Sequence, residues 1–159
     1  MRNFRLEDIE KAKLQFGFDI RQLSENESLN FHSKIYSKYF PSGGEIYPLW
    51  EKVSPYFSIR EPDAWQWLDE FIDAQNTFLF FDKEDELSVF SFHCKKRISS
   101  FLEIFPWDFY FTNKDLEYLV THNDSDYLIT SGTAMDWLKG KVDILTHQGW
   151  MDYNKRLMF

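Results

Sequence analysis

The chain reads as an α+β domain, with a mostly antiparallel central sheet on which N-terminal and C-terminal helices pack. Helix-period apolar patterns stand at both ends, and short strand-like runs separated by turn residues fill the middle. Aromatic residues make up 19% of the chain, enough apolar surface to build a core. With 159 residues, the span 1–159 fits one domain better than two.

Leu6, Ile9, Ala12 and Phe16 recur at near-helical spacing and Gly17 follows as a stop, so the first element is an amphipathic helix. Ser24 and Glu27 form a capping box ahead of Leu29, Ile35, Tyr36 and Tyr39, which predicts a second helix ending near Phe40. Two prolines and two adjacent glycines make 41–48 a loop. Residues 56–59 suit a strand, and Pro62 suits the first position of a helix running through Ala74, with Trp65, Leu68, Phe71 and Ile72 inward. Trp65 and Trp67 stand two apart, so both cannot point into one core.

Apolar runs at 77–81 and 87–92 flank the polar segment 82–86, the pattern of a hairpin with a long loop. Ile98, Phe101 and Phe105 predict a helix that Pro106 ends. Runs at 108–112, 117–121 and 126–131 are divided by NKD and HNDS turns, as in a meander. From Thr133 onward, Met135, Trp137, Leu138, Val142 and Leu145 predict one or two short helices closing the structure before Gly149, with the helices gathered on one sheet face.

The charge balance narrows the partners. Eighteen Lys and Arg against 26 Asp and Glu give a formal net charge of -8, which repels nucleic acid and complements a basic protein. Lys95, Lys96 and Arg97 are the one compact basic run; they read as a solvated face that moderates the field of residues 82–86. No apolar run approaches the roughly 20 residues of a membrane span, and Glu7, Asp8 and Glu10 interrupt any signal-peptide core, so no membrane is expected and the reading is cytoplasmic. Cys94 stands alone, without a disulfide partner.

No catalytic motif is present, and the chain is not read as an enzyme. His32, His93, His122 and His147 are scattered. His93 and Cys94 are neighbours, which a strand would point to opposite faces. His122, Asp124 and Asp126 could gather round a metal if their loop folded inward, but Asn and Asp there also supply turn geometry, so no metal and no cofactor is expected. Two acidic groups fall on positions predicted to be exposed: Asp63, Asp69, Glu70 and Asp73 on the helix, and Asp82, Glu84, Asp85 and Glu86 in the hairpin loop. These are the candidate partner contacts.

From Phe40 onward the series FPSGG, LW, AWQWL, LFF, FYFTN and LEYLVTHNDSDYLITSG resembles small bacterial proteins related to the SUKH superfamily, many of whose members are immunity proteins for polymorphic toxins. In that family a strand like Phe109–Asn113 precedes a strand like 117–120, an Asn/His/Asp turn and a strand ending in glycine, here Gly132. Relatives often carry two histidines before the aspartate, where this chain has Asp124, Ser125 and Asp126. The resemblance implies a cognate toxin, basic and of the nuclease kind, blocked by direct binding. The alternatives are a small ligand-binding protein or enzyme with an aromatic and polar pocket including His122, Asp124 and Tyr127, or a regulatory adaptor using the same acidic surface.

Overall fold

The computed structural model describes residues 3–41 and 47–158, with the side chains of the final helix as far as Gln148. Of the 41–48 loop, positions 42–46 lie outside the described residues. The elements run α1 (Phe4–Phe16), β1 (Ile20–Gln22), α2 (Glu25–Tyr39), β2 (Phe57–Arg60), β3 (Thr77–Phe80), β4 (Phe90–Phe92), α3 (Ile98–Leu102), β5 (Tyr110–Asn113), β6 (Tyr118–His122), β7 (Tyr127–Gly132) and α4 (Thr133–Met158). The seven strands form one antiparallel sheet in the order β1-β4-β3-β5-β6-β7-β2. The fold is therefore α+β, built on the expected hairpin of β3 with β4 and meander of β5 to β7.

Local chemistry sets the helix ends. Asn3 accepts from Leu6 N at the start of α1, and Gly17, at φ 72°, ends it in the left-handed conformation that glycine adopts without a Cβ penalty. The capping box of α2 is reciprocal: Glu27 N donates to Ser24 Oγ at 3.2 Å, and Ser24 N to Glu27 Oε1 at 3.1 Å. Each satisfies a first-turn donor that the helix itself leaves open. Ser24→Ala is expected to lower stability by about 1 kcal/mol, read as a shifted urea midpoint with unchanged slope.

Both meander turns use one device. Asn113 Oδ1 accepts from Glu117 N and Asn123 Oδ1 from Tyr127 N, each at 3.0 Å, while Leu116 (φ 55°) and Asp126 (φ 68°) take the left-handed residue of a three-residue hairpin loop. The segment 123–126 is thus a turn, as its asparagine and aspartates predict.

The sheet is covered on both faces, which corrects the expectation of helices on one. Ile9 and Ala12 of α1, Ile98 and Phe101 of α3, and Ala134 and Leu138 of α4 share a core with Leu79, Phe90, Phe92, Phe111, Val120 and Leu128. On the opposite face Phe31, Ile35 and Tyr39 of α2, with Leu49, pack on Phe80, Val89, Tyr110, Leu119 and Ile129. Leu29, one of the residues from which α2 is predicted, is exposed; the buried side is Ser28, Phe31, His32, Ile35 and Tyr39.

Two further helical expectations are corrected. Residues 62–74 do not form an α-helix started by Pro62 but a 3-10 helix at Ala64–Glu70, followed by a second at Ala74–Asn76. Ala64, Leu68 and Ile72 take the buried side there. Trp67 packs on the core with Lys141 Nζ 4.8 Å from its ring centroid, while Trp65 faces a surface cavity. At the C-terminus one helix of 26 residues replaces the short helices expected before Gly149 and passes through that glycine.

Candidate functional site

Antiparallel pairing decides which loops meet. The 81–89 loop follows β3, the 103–109 segment precedes β5, and the 123–126 turn joins β6 to β7, so all three emerge at one end of the sheet. Their carboxylates sense one another. Burial, reinforced by Asp124 and Asp85 and opposed by Arg5, raises the Asp108 carboxyl above the usual range. Burial, reinforced by Asp85 and Glu84, pushes Asp82 up to about 6. The charge of Asp85, with Asp82 and Asp108, likewise raises the Tyr47 hydroxyl at the same rim. Asp82, Glu84, Asp85, Asp108 and Asp124 therefore make one acidic end.

Asp82 is the structural centre of this end, not an exposed contact. It is 2% exposed; its Oδ1 accepts from Leu49 N at 2.7 Å and its Oδ2 from Tyr110 OH at 3.0 Å. Tyr110 OH in turn accepts from Trp50 N at 3.1 Å. The Asp82 carbonyl accepts from Asp85 N and Glu86 N, folding the loop. One residue thus ties the hairpin loop to the Leu49–Glu51 3-10 turn and to β5.

The other sequence-predicted contacts divide. Of the four acidic residues of the hairpin loop only Glu84 is exposed: Asp85 lies 3.5 Å from Arg5 Nη2, and Glu86 accepts from Asn3 Nδ2 at 3.0 Å, which anchors the start of α1. Asp69 accepts from Ser99 N at 3.0 Å and from Ser99 Oγ, bracing α3. Glu70 pairs with Lys141 at 2.7 Å, and Asp73 accepts from Gln75 N and Asn76 Nδ2. Asp63 is exposed. Asp73 precedes Thr77 and Asp82 follows Phe80, so the two lie beyond opposite ends of β3, roughly 10 Å of strand. The two acidic groups read from sequence are not one patch. Sequence reasoning missed Asp108 as an acidic-end residue and read Asp124 as a turn, metal or pocket residue rather than part of an acidic end; strand order was the signal needed. Lys95, Lys96 and Arg97 are exposed as expected but lie past the far end of β4 from the 82–86 loop, so they do not moderate its field.

Two cavities flank the β6–β7 turn, and Asn123 lines both. One, of about 260 Å³, lies on the α2 face between the Leu49–Glu51 turn, β2 and β7, with Trp50, Tyr56 and Tyr127 as aromatic walls. The other, of about 200 Å³, lies at the acidic end and is lined by Trp65, Trp107, Asp108, His122 and Asp124. His122 and Asp124 thus share a cavity, while Tyr127, grouped with them from sequence, belongs to its neighbour. His122 Nε2 donates to the Glu61 carbonyl at 2.9 Å, which fixes its ring. Asn123 is 4% exposed; its Oδ1 accepts from Ser125 N and Tyr127 N, and its Nδ2 has no partner among the described residues.

Other chemistry-bearing groups serve the fold. His32 is buried, and its Nε2 donates to the Leu87 carbonyl at 2.9 Å; burial holds its pKa below the ordinary histidine range. His93 bonds Ser91 Oγ at 2.8 Å, and Cys94 is a half-buried free thiol. Among the described residues no group of three or more His, Cys, Asp or Glu is placed to hold a metal ion, and no helix is long and apolar enough to cross a membrane. Comparison with protein-family models, curated proteins and solved structures finds no match to this chain.

Proposed function

We propose that this chain is a non-catalytic, acidic protein-binding module of the bacterial immunity type, which neutralises a basic toxin by direct binding. The observation that carries the reading is the acidic end: carboxylates from three separate loops converge there, Asp82, Glu84, Asp85, Asp108 and Asp124, in a chain of formal net charge -8. Asp82 is buried and Arg5 offsets Asp85 and Asp108, so the exposed Glu84 and Asp124 are the carboxylates a cationic partner would neutralise. The resemblance of the segment from Phe40 onward points the same way. The mechanism is occlusion: the acidic end docks on the basic groove a nuclease toxin uses for its substrate, and no bond is made or broken. The reading places the chain in the cytoplasm, where Cys94 stays a thiol.

Glu84 and Asp124 are the positions for the test, because both are exposed and neither holds the fold together as Asp82 does. The double reversal Glu84→Lys with Asp124→Lys is expected to slow association about tenfold at low ionic strength and to flatten its salt dependence, with little change in dissociation rate. Stopped-flow or surface-binding kinetics across a salt series reads both effects. Unchanged association and unchanged salt dependence would count against the reading.

A further inference from the structure

We propose that the cavity walled by Trp50, Tyr56 and Tyr127 receives the side chain of an arginine from the basic protein partner. The inference rests on the protein-binding reading and adds the chemistry of one anchoring contact. At about 260 Å³ the cavity accommodates one long side chain and falls below the roughly 300–1,000 Å³ of small-molecule sites. Tyr56 and Tyr127 are 63% and 41% exposed, large rings held at the surface where a partner would remove them from water.

The walls select charge. Aromatic faces present negative potential, and the exposed Glu51 adds a carboxylate to the lining. The cavity adjoins the acidic end through Asn123, which it shares with the cavity of Asp108 and Asp124. A nucleic-acid base would also stack on such rings, but its phosphates would meet Glu51 and the acidic end. Guanidinium suits the site better than ammonium, because it is planar, weakly hydrated and can stack while donating to a carboxylate. Arg60 lies 6.0 Å from the Tyr127 ring centroid, so the chain's own guanidinium already stands at that wall, and Trp50, Tyr56 and Glu51 are the groups left to an incoming one. Asn123, whose buried Nδ2 has no partner among the described residues, lines the cavity.

The test begins with the full chain alone. Nα-acetyl-arginine amide is titrated against its neutral isostere Nα-acetyl-citrulline amide, with the Trp50 indole signal followed by NMR. The expected result is a saturable shift with arginine, roughly fivefold weaker with citrulline, and roughly fivefold weaker arginine binding in Glu51→Gln, an exposed change that leaves the walls intact. No shift, or equal shifts with both probes, would overturn the cation site. The captured partner protein is then measured against Tyr56→Ala, with about a tenfold loss of affinity expected. Unchanged affinity there, with weakened binding in the Glu84 and Asp124 reversals, overturns the cavity proposal and leaves the protein-binding reading standing. Arginine binding without any stoichiometric basic partner overturns a protein as the source and marks the cavity as a site for a free small cation.

Discussion

Gly132→Ala is expected to be among the most damaging single substitutions in this chain, at about 3 kcal/mol or more. Gly132 sits at φ 64°, where the strand β7 turns into α4, and an alanine Cβ there would lie 2.3 Å from the Glu117 carbonyl oxygen, 2.8 Å from Tyr39 OH and 3.0 Å from Tyr118 Cα. Two of those three are backbone atoms that cannot swing aside. The same carbonyl accepts from Thr133 N at 2.9 Å, and Tyr39 OH donates to the Leu116 carbonyl at 2.6 Å, so relief of the clash breaks the joint between α2, the β5–β6 turn and α4. Gly140→Ala is the matched control. Its Cβ would meet nothing within 4 Å among the described residues, and alanine at this exposed position of α4 is expected to stabilise by about 0.5–1 kcal/mol. Urea unfolding of the two variants should move the midpoint in opposite directions; equal small shifts would contradict the packing described around Gly132.

Asp82→Ala is expected to cost about 2–4 kcal/mol at pH 5, because it strands two buried donors, Leu49 N and Tyr110 OH. The sign of the pH dependence follows from the raised pKa. In the folded chain Asp82 takes up its proton near pH 6 rather than at the ordinary 3.8, so its contribution is fully present below about pH 4 and is lost as pH rises through 6. The whole span corresponds to about 3 kcal/mol. Asp82→Asn keeps an oxygen for Leu49 N and cannot ionise. Measured as the difference between wild type and Asp82→Asn, stability should therefore fall by about that amount from pH 4 to pH 7, with every other titrating group cancelling. A flat difference would show that the carboxyl is not penalised by its burial.

The readable parts of the fold were those with a local cause. Ser24 caps its helix through a side chain three residues from its target, Gly17 stops α1 by its own backbone freedom, and Asn113 and Asn123 build their turns from within. The 64–70 segment misled because its buried positions, Ala64 and Leu68, stand four apart, the spacing of an α-helical turn. Gly149 misled because a glycine ends a helix only where the chain goes on to the left-handed conformation, and α4 continues instead.

Coverage of both sheet faces was legible in part. The runs TFLFF and FYF are continuous rather than alternating, which is the mark of strands buried on both sides, and Leu79 and Phe80 do enter opposite cores. The acidic end was not legible. Asp82, Asp108 and Asp124 are separated by 26 and then 16 positions and meet only because β3, β5 and β6 are neighbours in strand order. Nor does sequence distinguish a buried aspartate from an exposed one inside DKEDE: Asp82 is consumed by Tyr110 and Leu49, while Glu84 two residues later faces water.

The role proposed for the acidic end is to bind a basic protein. Its most direct measurement is affinity capture from the native cell by the wild-type chain beside the Glu84→Lys, Asp124→Lys variant, with mass spectrometry of stoichiometric partners and salt titration of the complex. The expected result is one small basic protein, retained by the wild type, released as salt is raised, and retained weakly or not at all by the variant. No stoichiometric protein, or one held equally by both chains at every salt concentration, would contradict it.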